Sequence, residues 1–125
     1  MLDKAVYEKW LSDYLTPQMS RDASQIPSLF ADDGVYWYGP YYEPRCGVEA
    51  IYQHHRNALS YQEDIKYKWK LLSVTSDGEA LAWFDLSLND LTKGAPNAYQ
   101  GIFKFTLNDQ GKCTLFEEWY NFTTL

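Results

Sequence analysis

From residue 65 onward the chain is written in a period of two. Ile65, Tyr67, Trp69 and Leu71 alternate with Lys66, Lys68 and Lys70. Side chains alternate sides along a strand, so this pattern is an antiparallel strand with one face buried and one in water. Further strand patterns cover 80–89, 99–107 and 113–122. Ser76-Asp77-Gly78-Glu79 and Asn108-Asp109-Gln110-Gly111 read as turns between them, and 92–97, with Gly94 and Pro96, reads as a loop.

The first half has a different rhythm. Val6, Tyr7, Trp10, Leu11, Tyr14 and Leu15 recur at helical spacing, which predicts a helix over 3–15 with Asp3 as its cap. Thr16-Pro17 should end or kink it, because the residue before proline avoids the helical region. Asp22 and Gln25 look like a capping box for a second helix over 22–31. Pro27 fits there only in the first turn, and Asp32-Asp33-Gly34 breaks it. A strand follows at 34–39, a loop or edge hairpin at 40–47, and a third helix at 48–59. Helices first and long antiparallel strands after predict one α+β domain over residues 1–125, with the helices on one sheet face.

The formal net charge is -6. That opposes nucleic-acid binding, which needs clustered Lys and Arg, and gives no affinity for anionic membranes. No stretch approaches 18 apolar residues, so no membrane-spanning helix is expected. Met1-Leu2-Asp3-Lys4-Ala5 lacks the pattern of a secretory signal, and a reducing cytoplasm is the expected compartment. Cys46 and Cys113, far apart in sequence, read as unpaired buried thiols. There is no GxSxG, GxGxxG or phosphate loop, and Asn121-Phe122-Thr123 is a glycosylation sequon by pattern only. The aromatic fraction is high, at 18%. So many rings must fill a core, line a pocket or form an interface.

Leu29-Phe30-Ala31-Asp32-Asp33-Gly34-Val35, then Glu43-Pro44-Arg45-Cys46-Gly47-Val48-Glu49-Ala50-Ile51, then Phe116-Glu117-Glu118-Trp119-Tyr120-Asn121, resemble the SnoaL-like branch of the nuclear transport factor 2-like superfamily. The order of elements matches along nearly the whole chain. The resemblance implies a cone: three N-terminal helices closing a strongly curved, mostly antiparallel sheet over an interior pocket. That fold hosts isomerases, dehydratases, cyclases, epoxide hydrolases and proteins that only bind, so fold does not give function. Ketosteroid isomerases use a carboxylate base with a tyrosine and a protonated aspartic acid as an oxyanion hole. The resemblance puts the oxyanion tyrosine on Tyr14 and its supporting tyrosine on His55. The base falls on Tyr38 and the protonated acid on Gly101. Neither of the latter can do that chemistry, so steroid isomerisation by that route is not expected.

The same correspondence predicts faces. With position 38 inward, Tyr36 is inward; with Gly101 inward, Tyr99, Phe103 and Phe105 are inward. On 80–89 the inward set is read as Leu81, Trp83, Asp85 and Ser87, and on the last strand as Phe116, Glu118 and Tyr120. Glu118 and Asp85 then become acids in an aromatic interior and the first candidates for acid–base catalysis, Glu118 with a raised pKa. The plainer reading of Glu118 is a buried ion pair with Arg45 or Arg56. The plainer reading of Asp85 is a one-residue register error.

Tyr14 and His55 are expected to form a hydrogen-bonded pair, with His54 pointing elsewhere, about 100° round the helix. Adjacent histidines make a poor metal site, so no metal or cofactor is expected. Trp10, Tyr36, Tyr38, Trp83, Tyr99, Gly101, Phe103, Phe116 and Tyr120 are the expected ligand-contacting residues, Gly101 by enlarging the pocket; the plainer reading is core. Two function classes stay open. One is a cofactor-free acid–base enzyme for a small apolar or aromatic molecule. The other is a non-catalytic ligand-binding or dimerisation module, a homodimer formed through the outer sheet face with Trp37 and Trp119.

Overall fold

The computed structural model describes residues 2–125; Met1, the first residue of the amino-terminal stretch read above, lies outside the described residues. Helix α1 spans Lys4–Met19, and the Asp3 carboxylate accepts a hydrogen bond from the Ala5 N–H at its start. The helix runs through Pro17 instead of stopping before it. Pro17 gives up the bond to the Asp13 carbonyl, and the helix ends within a turn of it, where the Ser20 and Asp22 N–H groups close on the Pro17 carbonyl.

Helix α2 is only Ile26–Leu29, far shorter than the 22–31 expected. Asp22 accepts from the Ser24 N–H, which forms a local turn and no capping box. The chain is already strand at Phe30. Strand β1 covers Phe30–Trp37, with a register shift between Phe30 and Val35 that throws Asp32 and Asp33 out to solvent. Strand β2, Arg45–Cys46, folds back on β1 as an edge hairpin, and helix α3 spans Val48–Ser60.

The long strands are β3 (Gln62–Val74), β4 (Glu79–Asp90), β5 (Ala95–Leu107) and β6 (Cys113–Thr124). With β1 and β2 they make one six-stranded curled sheet in the order β2-β1-β6-β5-β4-β3, parallel only between β1 and β6. The helices cover its inner face. Among the described residues no helix is long and apolar enough to cross a membrane.

The register corrects the expected faces of β4. Ala82 lies opposite Phe103, and Phe84 opposite Gly101. Opposed residues share a face, so the buried set is Ala80, Ala82, Phe84, Leu86, Leu88 and Asp90. Trp83 and Asp85 therefore lie on the outer face, opposite Lys70 and Lys68 of β3. Asp85 is not an interior acid and Trp83 is not a pocket wall.

Much of the aromatic content is core. Trp10 stacks on Tyr14 at 5.0 Å and on Phe105 at 5.1 Å between ring centroids, and its Nε1–H donates to the Leu29 carbonyl. Phe84 and Phe103 stack at 4.0 Å. Trp10, Phe103 and Phe116 are buried among such rings and do not line the cavity described below, contrary to expectation. Gly101 also does not enlarge it. A Cβ there would run into the Trp119 carbonyl oxygen and come within 2.7 Å of Tyr120 Cα, so the glycine lets β6 approach β5 closely. Cys113 is buried as expected, whereas Cys46 is exposed; neither is paired.

Candidate active site

The curled sheet does not close completely on the helices. Between α3, the ends of β1 and β6, and the inner faces of β3 and β4 lies a cavity of about 540 Å³. Phe84, Leu86, Leu88 and Leu59 give it apolar walls. Tyr36, Tyr38, Tyr42, Tyr61, Tyr67, Tyr99 and Tyr120 give it a phenolic lining. The charged or titratable groups that reach it are Glu118, His54, His55, Asp90 and Lys93.

Glu118 is placed by alternation on β6, where Phe116, Glu118 and Tyr120 turn to the inner face. Its Oε1 accepts a hydrogen bond of 2.5 Å from the Tyr36 hydroxyl. No cation approaches it among the described residues. Arg45 instead lies over the Tyr38 ring, 5.4 Å from the centroid, with Nη2 3.4 Å from the Tyr38 hydroxyl, and Arg56 is exposed on α3. The buried ion pair is therefore absent there. Burial pushes the Glu118 carboxyl up to about 7, against the smaller lowering from Tyr36.

Behind this pair stands a second one. His55 Nδ1 lies 2.8 Å from the Ile51 carbonyl, and its Nε2 lies 2.8 Å from the Tyr14 hydroxyl. A carbonyl only accepts, so Nδ1 carries the imidazole hydrogen. Burial holds His55 down at about 4, so the ring is neutral at pH 7 and Nε2 is an acceptor. Tyr14 thus donates its hydrogen to His55. Tyr14 is buried in the core behind His55 and does not itself line the cavity.

His54 does not point elsewhere. It lines the same cavity, 4.3 Å from the Tyr38 ring and 5.3 Å from Tyr36, while His55 lies 4.7 Å from Tyr36. Two side chains about 100° apart on a helix still straddle one ring that approaches between them. Burial first, and Arg45 second, hold His54 at about 4.

Of the residues expected to act, Glu118, His55, Tyr36, Tyr38, Tyr99 and Tyr120 come together around the cavity; Asp85, Trp83, Trp10, Gly101, Phe103 and Phe116 do not. The sequence reading missed His54 and Tyr67. Tyr67 sits on the inward side of the very alternation that identified β3, so its signal was present.

No protein-family model and no curated protein matches the sequence. Solved structures match its shape closely. The epoxide hydrolase/cyclase-like enzyme SalBIII, of pyran ring formation in the polyether salinomycin, aligns over 100% of both chains with a TM-score of 0.86 and 13% identity. The Δ5-3-ketosteroid isomerase from Mycobacterium sp. aligns over 96% of this chain and 98% of its own, with a TM-score of 0.81 and 16% identity. A computationally designed 17-OHP binder aligns over 93% of this chain and 95% of its own, with a TM-score of 0.80 and 16% identity. By topology and by these likenesses, the chain has the cone fold of the nuclear transport factor 2-like proteins.

Proposed function

We propose that this protein is a cofactor-free acid–base enzyme for a small, neutral, apolar or aromatic molecule, with Glu118 as the group that moves the proton. One observation carries the reading. A carboxyl faces an aromatic cavity with no cation beside it and is pushed up to about 7, so acid and base forms coexist near neutral pH. Tyr36 holds Oε1, which leaves Oε2 for a substrate. The simplest step is proton abstraction beside a carbonyl: the C–H bond breaks, an O–H bond forms on Glu118, and the electron pair moves onto the carbonyl oxygen. Return of the proton to the same or another carbon restores the carboxylate. Tyr14 and His55 act in this scheme as a neutral support behind Tyr36, and Asp85 takes no part.

Deuterium incorporation into the methyl group of 2-acetylnaphthalene in D2O tests this without the native substrate. The exchange rate should rise with pH through about 7. Glu118→Gln should lower it by roughly 10²- to 10⁴-fold. Equal exchange by both proteins contradicts the reading.

A second reading, binding without turnover, is favoured by the cavity mouth. There Tyr42 stacks on Tyr38 at 4.6 Å, and Tyr38 on His54, a wall suited to holding a flat ring. The likeness to a designed binder supports it equally. Binding of the ketone with no exchange would select it. For either reading we propose a homodimer through the outer sheet face. Trp119 is 50% exposed there, and Ile102 and then Trp83 follow it across the sheet. The lysines of β3 lie beyond Trp83 and would have to be paired or avoided; light scattering reports the mass.

A further inference from the structure

The acid–base reading needs a donor for the oxygen that gains negative charge when Glu118 takes a proton. The hydrogens around the cavity can be assigned one by one, because each phenol has only one. The Tyr14 hydrogen is committed to His55 Nε2, and the Tyr36 hydrogen to Glu118 Oε1. The Tyr38 hydroxyl receives from Arg45 Nη2 and the Tyr99 hydroxyl from Asn97 Nδ2, each at a long 3.4 Å, so both act there as acceptors. Among the described residues the hydroxyls of Tyr42, Tyr61, Tyr67 and Tyr120 on the cavity lining have no hydrogen-bond partner, and of these Tyr67 and Tyr120 are the two that the Glu118 charge reaches. A Cβ added at Gly39 would come within 3.3 Å of the Tyr120 hydroxyl, so that group sits against the turn at the cavity mouth. Tyr67 is the deeper of the two. It lies on β3 opposite Leu86, with Phe84 6.5 Å away and its own N–H on Met19 Sδ.

We infer that Tyr67, and not Tyr14, donates the hydrogen bond to the substrate's oxygen, and that the substrate is a neutral aromatic or alicyclic carbonyl compound held between Tyr67 and Glu118. The inference rests on the acid–base reading and deepens it. The Tyr67 hydroxyl opens onto the cavity beside Leu86 and Phe84 with no acceptor of its own among the described residues, and a carbonyl oxygen placed there accepts its hydrogen. Burial, with the nearby Glu118 charge adding to it, raises the Tyr67 phenol well above its ordinary value, so it stays protonated and serves only as a donor. Tyr67 neither gains nor loses a proton in the step; its hydrogen bond strengthens as the carbonyl oxygen becomes an enolate oxygen. A neutral substrate fits because no cation lies beside Glu118 among the described residues, and the lysine of the lining, Lys93, holds its ammonium over the Phe122 ring.

Infrared difference spectroscopy of carbonyl-¹³C 2-acetylnaphthalene bound to the folded protein reads this bond directly. Wild type should show a carbonyl band at lower wavenumber than in hexane. Tyr67→Phe should lose that displacement and weaken binding about tenfold. Tyr14→Phe should keep the displaced band. In the exchange assay Tyr67→Phe should slow turnover about 10²-fold with an unchanged pH midpoint, unlike Glu118→Gln. A band unaffected by Tyr67→Phe, or lost in Tyr14→Phe, overturns the inference, and so does failure of the ketone to bind. The band reports binding alone, so absence of exchange with the displaced band intact rejects the acid–base reading and not the role of Tyr67.

Discussion

Replacing Glu118 by glutamine should change how stability depends on pH. In the unfolded chain this carboxyl ionises at its ordinary 4.5; in the folded protein it holds its proton up to about 7. Below 4.5 it is neutral in both states and costs nothing. As pH rises toward 7 the folded state keeps a proton that the unfolded state releases, so stability falls. The full difference is about 3 kcal/mol, reached above the folded value. Glutamine has nearly the same shape and no charge, and its amide can take the Tyr36 hydrogen bond. The variant should therefore match wild type near pH 4 and exceed it by up to about 3 kcal/mol at pH 8. Urea unfolding followed by tryptophan fluorescence at both pH values gives the difference. A constant difference between the two proteins across this range would refute the reasoning, because it would mean that Glu118 ionises normally in the fold.

Other outcomes follow from the same structure. Gly101→Ala should destabilise by about 1–3 kcal/mol or more in chemical denaturation, because its methyl meets the backbone of β6, which cannot step aside. The two histidines act at the acid end. Each is held near 4, below its ordinary 6.5, so its contribution is fully present above 6.5 and is lost as pH falls through about 4. Thermal scans of Glu118→Gln should accordingly show Tm falling over that window, and a flat profile would contradict the burial of both rings. Asp85→Asn should leave ketone exchange within about twofold of wild type, since the residue faces away from the cavity beside Lys68; a loss of tenfold or more would place it in the reaction after all.

The fold was readable because two periodicities divide the chain cleanly. Alternation in β3 and the spacing of Tyr7, Trp10, Leu11 and Tyr14 in α1 each fix a buried face without outside help. The failures have separate physical causes. In β4 the parity was carried over from the family correspondence without the register to β5, and it fell one residue off. Ala80, Ala82, Phe84, Leu86 and Leu88 form the wholly apolar row, and small alanines conceal it. The shortness of α2 reflects a local turn at Asp22 competing with a cap. The close approach of β6 to Gly101 depends on sheet curvature, which no single strand encodes. At the site, the family resemblance put Tyr14 and His55 together, and with strand alternation it turned Glu118 inward. The direction of the Tyr14 hydrogen was hidden, because it is set by the Ile51 carbonyl acting through the imidazole.

The central claim is that Glu118 shares its proton near neutral pH inside an aromatic cavity. Carbon-13 NMR of the glutamate side-chain carboxyl, assigned with Glu118→Gln, measures this directly. The account predicts a titration midpoint at about 7, moving higher in Tyr36→Phe, where the hydrogen bond that favours the carboxylate is gone. A midpoint at the ordinary 4.5, unmoved by Tyr36→Phe, would contradict it.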